Sequence, residues 1–121
     1  MKRTVAAVLL VSAVGVVGGC SRGFQAHSVA ELCQEVAARA DAEDELFFQA
    51  YMSEAERSEV GSLIGMVKRS KIAFSYTERL HEERDGSFRL DYHWLEQGCS
   101  FQIEGTQSDG TWRLCRIWFC R

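Results

Sequence analysis

The sequence predicts an α+β domain in which three N-terminal helices pack on a four-stranded antiparallel meander. Between residues 28 and 67, apolar side chains recur three and four positions apart, as on amphipathic helices. From residue 72 onward, apolar and polar residues alternate and two Gly-containing turns interrupt them, which is typical of β-hairpins. Helices followed by strands define the α+β class, and the length fits one domain over residues 28–121.

The first helix is predicted from its start signal. Ser28 followed by Glu31 is a capping box, in which each side chain satisfies a free backbone N–H at the helix start. The apolar face of this helix comprises Val29, Leu32, Cys33, Val36 and Ala40.

Two more helices follow. Asp41 is the predicted cap of a short second helix, and Ser53 with Glu56 repeats the capping box before the third. The apolar face of the third helix comprises Val60, Leu63, Ile64 and Val67.

The first hairpin is predicted to begin at Ile72 and to turn at an Arg-Asp-Gly loop after residue 83. A three-residue loop makes paired residue numbers sum to 170. Leu80 is then opposite Leu90, and Tyr76 is opposite Trp94.

The second hairpin allows two registers. A two-residue turn at Asp109-Gly110 makes paired numbers sum to 219 and places Cys99 opposite Cys120. A three-residue loop over residues 108–110 makes the sum 218 and places Cys99 opposite Phe119. One bulge would reconcile the two registers.

The N-terminus has the pattern of an export signal. Two basic residues at positions 2 and 3 precede an apolar run over residues 5–17. That run is shorter than the roughly 20 residues that span a bilayer. It ends in the motif Val17-Gly18-Gly19-Cys20.

This motif resembles the lipobox of bacterial lipoproteins. The resemblance implies cleavage between Gly19 and Cys20 and attachment of diacylglycerol to the Cys20 thiol. The two acyl chains of this group would hold the protein stably on a membrane. The alternatives are an ordinary secretory signal with a chance cysteine, or a membrane helix. Ser21, in place of Asp, resembles the pattern that sends lipoproteins of Gram-negative bacteria to the outer membrane, facing the periplasm.

The resemblance divides the chain into three parts. Residues 1–19 are the predicted signal peptide, residues 20–27 the lipidated cysteine and a tether, and residues 28–121 the domain.

The remaining cysteines form an even set. Setting Cys20 aside leaves Cys33, Cys99, Cys115 and Cys120, for which an oxidising compartment predicts one or two disulfides. The two-residue turn pairs Cys99 with Cys120 and leaves Cys33 for Cys115. The chain has no CxxC pair, so neither a metal nor another cofactor is predicted.

The charge balance argues against nucleic acid as a partner. Two of the 14 basic residues lie in the leader, so the mature chain carries 12 basic against 17 acidic residues, a net charge of -5. The basic stretch Lys68, Arg69 and Lys71 lies at the predicted end of the third helix, where it favours the helix dipole.

The order of elements resembles the nuclear-transport-factor-2-like superfamily, a cone-shaped α+β fold, with a cystatin-like arrangement as the other candidate. The first helix, residues 47–52 and the last strand, which reads Asp-Gly-Thr-Trp-Arg-Leu over residues 109–114, carry the likeness. It implies a sheet that wraps round the helices and leaves a pocket between them.

The last strand suggests a contact surface. In the 218 register, Trp112, Leu114 and Trp118 occupy the face that the helices leave uncovered. Exposed apolar patches, and Trp beside Arg in particular, mark partner or dimer surfaces. The alternative is a strand buried on both sides.

The histidines do not indicate an active site. The first hairpin places His81 opposite Arg89 and His93 opposite Thr77, several residues apart, although Asp91 could neighbour either. Catalysis is therefore not predicted.

The sequence predicts a membrane-anchored binding or assembly module whose partner is an envelope protein or a second copy of the chain. The alternative is a small-ligand pocket protein, with or without catalysis. A cavity lined by Tyr76, Trp94 and Phe101 with a buried polar group would favour that alternative.

Overall fold

The computed structural model describes residues 22–94 and 99–120, and within these it leaves out the side chains of Trp94, Cys99 and Cys120. The predicted signal peptide, the cleavage site at Gly19 and the lipidation site at Cys20 lie outside the described residues. These predictions therefore stay predictions.

The described chain is an α+β domain with one antiparallel sheet. The helical elements are α1 (Val29–Asp41), α2 (Glu45–Gln49), a 3₁₀ helix (Glu54–Glu59), α3 (Val60–Ser70), α4 (Ile72–Ser75) and a second 3₁₀ helix (Tyr76–Glu78). The strands are β1 (Gln25–Ala26), β2 (Leu80–Glu82), β3 (Ser87–Trp94), β4 (Cys99–Ser108) and β5 (Thr111–Cys120). The sheet order is β1-β5-β4-β3-β2, so the predicted class is confirmed but the sheet has five strands where four were predicted.

Helix α1 forms as predicted. The Ser28 hydroxyl accepts a hydrogen bond from the Glu31 N–H at 3.1 Å, and the Glu31 carboxylate accepts one from the His27 N–H at 2.6 Å. The predicted face is buried at Leu32, Cys33, Val36 and Ala40.

The predicted caps of the next two helices are wrong. Asp41 is the last residue of α1, and Asp44 caps α2 instead by accepting a hydrogen bond from the Phe47 N–H at 3.2 Å. Ser53 makes no side-chain cap hydrogen bond, because the residues after it form a 3₁₀ helix and the α-helix begins only at Val60.

Helix α3 has the predicted buried face and ends as expected, with Lys68 and Arg69 in its last turn. Lys71 adopts a left-handed conformation, with a φ of 54°, and so separates α3 from α4.

The first predicted strand is mostly wrong. Residues 72–78 are helical, and only Leu80–Glu82 pair with β3. Ile72 is fully buried and α4 packs on α1, so tertiary packing decides the conformation of this segment. The predicted register is correct where the strands do pair, since Leu80 is opposite Leu90.

Part of the predicted tether belongs to the sheet. Strand β1 pairs with β5, the Phe24 carbonyl accepts a hydrogen bond from the Leu114 N–H at 2.8 Å, and the Phe24 N–H donates to the Tyr51 hydroxyl at 2.8 Å. A Cβ on Gly23 would overlap the Leu114 carbonyl oxygen, so glycine permits this close approach. The folded domain therefore starts before residue 28.

A β-bulge decides which residues of β5 face the core. Ser108 pairs with Thr111, so the two-residue turn is correct and the 218 register is wrong. The bulge opposite the step from Glu104 to Gly105 then inserts one extra residue in β5, and Ser100 pairs with Cys120. The predicted opposition of Cys99 and Cys120 is therefore wrong. A disulfide between them is also incompatible with the predicted lipid on Cys20, because Cys115 is disulfide-bonded and Cys33 is free.

The predicted disulfide between Cys33 and Cys115 is wrong. Cys33 is a free thiol, fully buried in the core on α1. Cys115 lies at the bulge of β5, beside the outward-facing Arg89 and Glu104 on the opposite side of the sheet. Cys115 is itself disulfide-bonded, to a cysteine whose side chain the structure does not describe.

Across residues 22–94 and 99–120, every helix is too short or too polar to cross a membrane.

Candidate functional site

Two thirds of the predicted contact surface lies in the core. Trp112 and Leu114 are buried, whereas Trp118 is 38% exposed. Because the bulge adds one residue to β5, Trp112 and Leu114 share the inner face with Ile117, and Trp118 alone faces outward. The predicted surface is therefore wrong at Trp112 and Leu114.

The outer face of the sheet is polar. Arg89, Glu104 and Arg116 lie in register across three strands. Asp91 contacts a guanidinium and an imidazole, with its Oδ2 atom 3.0 Å from Arg89 Nε and 3.3 Å from His81 Nε2. This face is therefore not the apolar surface that the sequence predicted.

The histidines remain apart. His81 is opposite Arg89, as predicted, and His93 is opposite Ser100 on the neighbouring strand. Among the residues the structure describes, no three His, Cys, Asp or Glu side chains lie close enough together to hold a metal ion.

A groove of about 660 Å³ lies at the end of the sheet that carries Trp118. We call it the outer groove, because most of its lining side chains belong to the outer face. It is lined by Glu56, Asp91, Tyr92, His93, Ser100, Phe101, Gln102, Trp118 and Phe119. Its volume falls in the range of small-molecule sites.

A ring stack and a hydrogen bond join the elements that form the groove. Tyr92 and Phe101, cross-strand neighbours on the inner face, stack with ring centroids 4.8 Å apart. The Tyr92 hydroxyl lies 2.8 Å from the Ser75 hydroxyl, which ties the sheet to the end of α4. Burial raises the pKa of the Tyr92 phenol, so this group stays neutral.

Trp118 and Glu56 are two groove residues with unusual surroundings. The Arg116 guanidinium lies 3.7 Å from the centroid of the Trp118 ring, a cation–π contact that holds the indole in place. The Oε1 atom of Glu56 is buried and has no hydrogen-bond partner. Glu56 belongs to the 3₁₀ helix that follows Tyr51. The Tyr51 carbonyl accepts a hydrogen bond from the Ile117 N–H, and this bond holds the segment at the edge of β5.

The sequence placed a possible pocket elsewhere. Of its predicted lining residues, Phe101 lines the outer groove, Tyr76 does not, and the side chain of Trp94 lies outside the described residues. A buried polar atom of the outer groove is Oε1 of Glu56, a residue that the sequence predicted in a capping box.

Cys33 gives a prediction about pH. Burial raises the pKa of its thiol to about 12 from an ordinary 9.0. The unfolded chain then ionises this thiol more readily than the folded protein does, so the free energy of unfolding should fall as pH rises above 9. Urea unfolding at pH 8 and pH 10.5 measures this loss of free energy of unfolding. The loss should be smaller in Cys33→Ala than in the unchanged protein, and an equal loss in both would contradict the assignment.

No family model, curated protein or solved structure matches this chain.

Proposed function

We propose that this chain is a lipid-anchored protein of the bacterial cell envelope that acts as a binding or assembly module through its outer groove. The anchor is diacylglycerol on Cys20, and in a Gram-negative host the domain faces the periplasm from the outer membrane. The observation that supports the binding role is the exposed Trp118 beside the groove, held by Arg116.

A tryptophan in this setting favours a protein contact. Interface residues that contribute most to affinity are enriched in Trp and Arg, and a rigid aromatic loses little entropy on binding. Most large apolar side chains are buried in this domain, so an indole that is 38% exposed at the rim of a groove is suited to recognition.

The path of β1 relates the groove to the anchor. Because β1 runs antiparallel to β5, the chain from Ala26 back to Gly23 runs toward the end of β5 that carries Trp118. Gly23 follows Cys20 by three positions, a span of at most about 11 Å. The groove would then lie near the membrane surface, within reach of a partner on the same membrane.

We also propose the nuclear-transport-factor-2-like or cystatin-like arrangement as the finer fold. Helices on one face of an antiparallel sheet support it. The candidate site differs from the expected one, because the core between helices and sheet contains large, fully buried side chains such as Phe48, Phe88 and Leu32.

Site-specific photo-crosslinking tests the proposal. A photoreactive residue at Gln102, inside the groove, should give one discrete crosslinked species in native membranes, whereas the exposed Thr77 outside the groove should not. A species of twice the chain mass would identify a second copy as the partner. Trp118→Ala should reduce the yield tenfold or more, since a hot-spot residue contributes about 2 kcal/mol or more. Equal yields from both positions, or no effect of Trp118→Ala, would contradict the proposed contact.

A small ligand is the second candidate, favoured by the size of the groove. In that case Gln102 would give no protein crosslink, and a small molecule would raise the melting temperature of the purified protein.

A further inference from the structure

We propose that the outer groove binds a cationic ammonium or guanidinium group at Glu56, carried on an apolar stem that lies against Trp118. This inference rests on the proposed function only in taking the groove as the binding site, and it adds the chemistry of what is bound.

The first argument is the unsatisfied carboxylate. The Glu56 Oε1 atom is removed from solvent and lacks a hydrogen-bond donor. A buried polar atom without a partner costs free energy, and such atoms are rare in folded proteins. Glu56 lines the groove, so a rotation of its carboxylate would present this atom to a ligand donor, and a charged donor forms the stronger hydrogen bond.

The second argument is the charge of the groove. Its other carboxylate, Asp91, is already neutralised by Arg89 and faces His81 as well. Within the described part of the chain, Glu56 forms no ion pair, whereas Arg116 is occupied over the Trp118 ring. The groove therefore contains one carboxylate that no cation of the described residues contacts.

The third argument concerns the stem. The indole of Trp118 offers an exposed apolar surface on the same groove. Arg116 covers part of the ring, so the cation of a ligand is better placed at Glu56, and its hydrocarbon or aromatic portion at the indole. A lysine or arginine side chain of a partner protein and a free aromatic amine both have this chemistry.

Binding measurements on the full mature chain, purified in detergent, test the inference. Phenylethylamine and 2-phenylethanol have the same ring and chain length and differ in charge. Each probe is titrated while the chemical shifts of the tryptophan indole N–H groups are followed. The dissociation constant should be at least tenfold lower for the amine than for the alcohol. A peptide containing lysine, compared with the same peptide carrying acetyl-lysine, distinguishes a protein source from a free amine.

Two matched variants assign the effect to one carboxylate. Glu56→Gln keeps the shape of the side chain and removes its charge, and it should abolish the preference for both cationic probes. Glu54→Gln, on the same 3₁₀ helix but exposed and outside the groove, should keep it. The inference is overturned if the neutral probes bind as tightly as the cationic ones, if none of the probes binds, or if Glu56→Gln leaves the preference intact. The crosslinking at Gln102 can succeed in each of these cases, so failure of this inference is distinguishable from failure of the proposed function.

Discussion

Replacing Cys20 with Ser should move the protein from the membrane fraction to the soluble fraction. A serine hydroxyl cannot form the thioether to diacylglycerol, so the variant loses both chains that make attachment stable. We therefore expect nearly complete release, measured by fractionation and by labelling with radioactive palmitate.

Cys33→Ala is the matched control for this change, because it also removes one sulfur but from a buried core position. It should leave both labelling and membrane attachment intact. Palmitate labelling that persists in Cys20→Ser would show that the lipid is attached elsewhere.

Replacing Gly105 with Ala should destabilise the domain by about 3 kcal/mol, at the upper end of the usual cost of overpacking. A Cβ at this position would lie 2.6 Å from Cε2 of the Phe88 ring and would overlap the Arg113 carbonyl oxygen. Both neighbours are confined by the bulge and the core, so neither can move freely. The melting temperature should fall by roughly 12 °C or more.

Two other glycines give the controls. Gly110 has a φ of 78° in the turn and open space around it, so Gly110→Ala should cost only about 1 kcal/mol. Gly65, within α3, has only the tip of Arg69 nearby, at 3.6 Å, so Gly65→Ala should stabilise the domain by about 1 kcal/mol. If all three substitutions had the same effect on the melting temperature, the packing argument at Gly105 would be wrong.

The helices were predictable where local signals agreed. The capping box at Ser28 and the apolar period after it describe α1 correctly, and the period alone describes most of α3. The segment after Lys71 was not predictable, because Ile72 and Tyr76 are four positions apart and fit a helix as well as a strand. Packing of α4 on α1 selects the helix.

The sheet and the groove depended on features with weak local signals. One bulge at Cys115 reverses the faces of Trp112 and Leu114, and alternation of residues cannot reveal it. Strand β1 has two residues and no pattern. The outer groove combines Glu56 with Trp118, which are distant in sequence and meet only because the chain after Tyr51 follows the edge of β5.

The intact mass of the protein purified from membranes tests the central claim most directly. The account predicts a chain that begins at Cys20, with the added mass of a diacylglyceryl group and with or without a further acyl chain on its amino group. A chain that retains the leader, or one that begins at Cys20 without added lipid, would contradict the lipid anchor on which the proposed function depends.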